Sequence, residues 1–72
     1  MNAAQRHWQR ELNTLLHAQN EAEDKGLKLG KKHYARVKFV ASCIAAHTED
    51  PVELGRALAV VVYADDVATN AD

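Results

Sequence analysis

The segment Thr48-Glu49-Asp50-Pro51-Val52-Glu53-Leu54 announces the start of a helix. Asp50 offers a side-chain acceptor for the first free N–H groups, Pro51 suits the first helical position because its missing N–H is no loss there, and Glu53 completes a capping box. The acids also lie at the positive end of the helix dipole. The apolar run Ala57 to Ala64 that follows contains three consecutive valines, which favour a strand, but the chain has no second strand to pair with one. A helix over 51–68 is expected, and an all-helical fold with it.

Two earlier segments carry the helical period of about 100° per residue. In the first, Ala4, Trp8, Leu12, Leu15, Leu16 and Gln19 share a face, and Asn2 with Gln5 forms a capping-box pattern, so a helix over 2–24 is predicted. Gly26 suits the left-handed residue that closes a helix, with Leu27 folding back on Ala22. Glu21, Glu23 and Asp24 oppose the dipole, so fraying is expected beyond Asn20. In the second segment, 31–47, Tyr34, Val37, Val40, Ala41 and Ile44 form the core side. Phe39 and Cys43 lie on the far side, among Lys32 and Arg36, where a simple surface helix would be wholly polar. Leu27 and Leu29 are expected to pin the connection between the two helices to the core.

The third helix is apolar on two sides: Leu54, Ala57, Leu58, Val61 and Val62 are assigned to the core, with Val52, Val60, Tyr63 and Val67 roughly opposite. The residues after 68 are expected to fray. The whole, 1–72, reads as one domain, a small three-helix bundle.

At 72 residues the chain buries only about 60% of its unfolded surface, so outside help with stability is expected. Cys43 is the only cysteine and cannot form an internal disulfide. Surplus apolar edges on the second and third helices point to a second copy, so a homodimer is expected, with Cys43, Val60, Tyr63 and Val67 at the self-association face.

The charge is segregated. Residues 25–48 carry six bases and no acid, whereas residues 49–72 carry one base and six acids. The net charge of −1 excludes a uniformly basic coat for nucleic acid. Lys28, Lys31, Lys32 and Arg36 around Phe39 form the expected partner-binding surface, with Arg6 and Arg10 from a polar stripe of the first helix as additions, and His33 is expected to add charge below neutral pH. The partner expected is a protein with an acidic surface.

Other chemistries find less support. Gly26 and Gly30 lack the Lys-Ser or Lys-Thr pair and the preceding strand of a phosphate loop. Cys43 and His47 are one turn apart but do not make the four-ligand set of a structural zinc site. Asp65 and Asp66 are adjacent and so diverge on a helix instead of converging as a catalytic pair. No cofactor, metal or catalytic residue is assigned. No apolar run reaches the roughly 20 residues of a membrane span, and no secretory leader pattern opens the chain, so a cytoplasmic protein is expected. The expected function is a non-enzymatic module that binds and modulates another protein, a regulator or inhibitor of the kind phages and mobile elements often encode. The alternatives are a nucleic-acid-binding regulator using the same basic residues, and a structural assembly subunit.

Overall fold

The computed structural model describes residues 3–70, which form α1 (Ala3–Asp24), α2 (Lys31–His47) and α3 (Pro51–Asn70). Among the described residues there is no strand, so the triple-valine run is helical. The Asn2 cap and the last two residues of the tail lie outside the described residues. Thr69 and Asn70 belong to α3, and the Asn70 amide donates to the Asp66 carbonyl at 2.8 Å.

Each junction has a local cause. Gly26 takes a φ of 70°, its N–H donates to Glu23 O at 3.1 Å, and the Leu27 N–H donates to Ala22 O at 2.8 Å. These are the two bonds of a Schellman closure, and they hold α1 helical to Asp24 despite its terminal acids, contrary to the fraying expected beyond Asn20. The Leu27 side chain stays 62% exposed, so only the half-buried Leu29 ties the connection to the body of the fold.

At the start of α3, Asp50 Oδ1 accepts from the Val52 N–H at 3.0 Å. Glu53 does not close the expected box: the Asp50 N–H donates instead to Thr48 Oγ1 at 3.2 Å, and Glu53 Oε2 accepts from the Thr48 hydroxyl at 3.3 Å and from Gln5 Nε2 at 3.0 Å. Gln5 Nε2 also reaches Thr48 Oγ1 at 3.3 Å. One hydroxyl thus ties the start of α1, the second connection and the first turn of α3.

α2 is the central element. It packs against α1 on one flank and α3 on the other, whereas no Cα of α1 comes within 8 Å of one in α3. All five residues expected on its core side, Tyr34, Val37, Val40, Ala41 and Ile44, are buried. Val37, Val40 and Ile44 form one core with Leu12 from α1 and Ala57 and Ala64 from α3, and Trp8, Leu15, Leu16, Ala45 and Val60 pack around it. On α1 the core stripe is Gln5, Leu12, Gln19 and Ala22, and Ala4 is exposed.

The two faces assigned to α3 need correction. Its buried stripe is Ala57 and Ala64, flanked by half-buried Val60, Val61 and Val67, and this runs between them. Leu54, Leu58 and Val62, expected in the core, lie exposed along one edge. Small side chains explain the choice, because alanine at the contact lets α3 approach α2 closely, and a leucine there would hold the helices apart.

Candidate interaction surface

On α2, Lys32, Arg36, Phe39 and Cys43 succeed one another at spacings of four, three and four, so they form one edge. α1 lies beside it. The Trp8 and Phe39 rings meet edge to face, 5.7 Å apart at 83°, a geometry aromatic pairs prefer. The His7 ring also meets Trp8 edge to face, at 4.8 Å and 70°.

Arg36 completes the cluster. Its guanidinium carbon is 5.2 Å from the Phe39 ring centre and 5.8 Å from that of Trp8, within cation–π range of both. Nε donates to Glu11 Oε1 at 2.8 Å, and a terminal guanidinium nitrogen donates to the same oxygen. Phe39 is held by these contacts yet remains 50% exposed, which presents a fixed aromatic surface to solvent.

The expected basic patch is therefore divided by role. Arg36 spends its charge on Glu11, and Lys38 pairs with Asp65 at 2.7 Å. Lys28, Lys31 and Lys32 are exposed and form no ion pair among the described residues. Lys32 shares the edge of Phe39, Lys31 opens α2, and Lys28 belongs to the connection before it.

Arg6 and Arg10 are exposed but lie on the outer flank of α1, about half a turn from the Trp8 side that faces α2. Arg6 is also some 27 Å along the helix from the end that carries the lysines, at about 1.5 Å per residue. They do not join the patch. His33 charges it less readily than a free imidazole would: its Nε2 is buried with no hydrogen-bond partner among the described residues, and burial lowers its pKa from the ordinary 6.5.

The expected self-association set also divides. Cys43 is half-buried on the Phe39 edge of α2. Val60, Val67 and Tyr63 lie on the α1 side of α3, where Gln19 Nε2 donates to the Tyr63 hydroxyl at 3.5 Å. The phenol of buried Tyr34 is raised above its ordinary value, first by burial and then by Tyr63 and Glu23.

Sequence reasoning missed Glu11, Gln5 and Thr48, which act across helices. Helical spacing had already placed Gln19 on the core face, and the seven-residue steps from it through Leu12 to Gln5 are the signal that would have put Gln5 there too.

Among the described residues no three His, Cys, Asp or Glu side chains gather to hold a metal ion, and no helix is long and apolar enough to cross a membrane. No protein-family model, curated protein or solved structure matches this chain.

Proposed function

We propose that this chain is a helical, non-enzymatic binding module that docks on an acidic protein surface through the Phe39 edge of α2 and modulates its target. The observation that carries this reading is Phe39 itself, half exposed yet fixed by Trp8 and Arg36, on the same edge as Lys32, which with Lys31 and Lys28 before it forms no ion pair among the described residues. A rigid aromatic supplies contact area at little entropic cost, while lysines steer an acidic partner into place. The module works as a homodimer, in a reducing compartment such as the cytoplasm, where a lone thiol stays free.

Nucleic acid is the weaker reading, because Arg36 and Lys38, two of the six bases in the basic stretch, are already paired with Glu11 and Asp65. The test is capture from native cells by tagged protein, after nuclease treatment, comparing the unaltered chain with Phe39→Asp and Arg10→Glu. A protein retained by Arg10→Glu and lost with Phe39→Asp supports the surface. Partners indifferent to Phe39→Asp contradict it, and recovery that vanishes with nuclease moves the function to nucleic acid.

A further inference from the structure

Both α1 and α3 run antiparallel to α2, and both pack on it, but they meet each other only through side chains such as Gln5 with Glu53 and Gln19 with Tyr63. That arrangement fills three corners of an antiparallel four-helix bundle. The fourth corner is a trough between α1 and α3, of 590 Å³ on one side of the Gln19–Tyr63 contact, with Ile44 at its floor, and 410 Å³ on the other.

The α3 lip of this trough is an exposed row: Val52, Arg56, Ala59, Tyr63, Asp66 and Asn70. Their spacings are four, three, four, three and four, the heptad seam that keeps one line of side chains toward a neighbouring helix. Laid against its own copy in the antiparallel sense, the row complements itself. With residue 61 near the two-fold axis, Val52 meets Asn70, Arg56 meets Asp66 and small Ala59 meets large Tyr63, each twice.

The charges favour this register. Arg56 is the only base after residue 38 and forms no ion pair within the described chain. Among the described residues Asp65 is occupied by Lys38, whereas Asp66 has only the Asn70 amide, at 3.3 Å from Oδ1. The register also overlaps the whole of α3, residues 51–70, so little apolar surface is left at the ends.

We propose that α3 pairs antiparallel with α3 of a second copy through this row, with reciprocal Arg56–Asp66 contacts. The Phe39 edge lies on the opposite flank of α1 and α2 and stays free, so this inference stands or falls separately from the proposed docking surface.

The test exchanges the charges. Arg56→Asp sets two acids against each other in its own dimer, and Asp66→Arg sets two bases. Each variant alone is expected to sediment at the monomer mass of 8.0 kDa. An equimolar mixture restores both opposite-charge contacts and is expected at twice that mass, and the doubly exchanged chain is expected to dimerise alone. Circular dichroism confirms that each variant is helical. Single variants that remain dimeric, or folded variants whose mixture stays monomeric, overturn the register.

Discussion

The Arg36 guanidinium stands 5.2 Å from the centre of the Phe39 ring, three residues further along α2. The same group is hydrogen-bonded to Glu11 on α1, so one side chain joins two helices and holds an aromatic ring in place. Arg36→Lys keeps the charge but loses the planar fork and its stacking. The pair is partly exposed, so the cost to stability is expected to be below about 1 kcal/mol. Urea unfolding followed by Trp8 emission measures it, and the folded-state emission is expected to shift because Trp8 loses its cationic neighbour. Unchanged folded-state emission would mean that Arg36 is not held at the ring.

Ile44 is 1% exposed, and Leu58, assigned by spacing to the core, is 49% exposed. Ile44→Ala is expected to cost about 2–5 kcal/mol, and Leu58→Ser to stay within about 0.5 kcal/mol. Thermal unfolding of the two variants checks the corrected orientation of α3 directly, and a larger loss at Leu58 would reverse it.

That correction shows where sequence spacing stops being informative. The five core residues of α2 were legible because polar residues bound the stripe on most sides, and its limits at Lys31 and His47 followed from the same pattern. α3 is apolar almost all round, so periodicity alone does not choose a stripe, and the choice falls to the alanines that allow close approach to α2. The Phe39 edge was legible as an anomaly, an aromatic among cations. Its Glu11 and Trp8 supports lie 25 or more residues away in the chain, a distance only packing closes.

Asp50 caps α3 through the Val52 N–H, and Thr48 ties that turn to α1 through Gln5. Asp50→Ala is expected to cost about 1 kcal/mol as a lost cap. Thr48→Val removes the hydroxyl to which both Gln5 and Glu53 are hydrogen-bonded and is expected to cost about 1–3 kcal/mol. Both follow from chemical denaturation, and a Thr48→Val chain as stable as the parent would dismiss the junction as incidental.

His33 supplies a pH dependence whose sign is defined. Burial lowers its pKa from 6.5, so below that value the unfolded chain binds the proton more readily than the folded one. Its contribution is complete above 6.5 and is lost as pH falls through the folded value. His33→Phe keeps a ring against Tyr34, whose edge-to-face contact spans 5.1 Å, and removes the titration. Unfolding free energies across mildly acidic pH are expected to fall more steeply for the parent than for the variant. Parallel curves would show that His33 charges freely in the folded chain.

The proposal with most at stake is that α3 offers its exposed row from Val52 to Asn70 to another copy of itself. Tyr63 is 47% and Val52 63% exposed in the single chain, and pairing would cover both. Sedimentation equilibrium of the unaltered chain over a wide range of concentration tests this most directly. The mass is expected to rise from 8.0 kDa to twice that value and no further, as a closed two-fold pair requires. A mass that stays at 8.0 kDa throughout, or that climbs without limit, contradicts it.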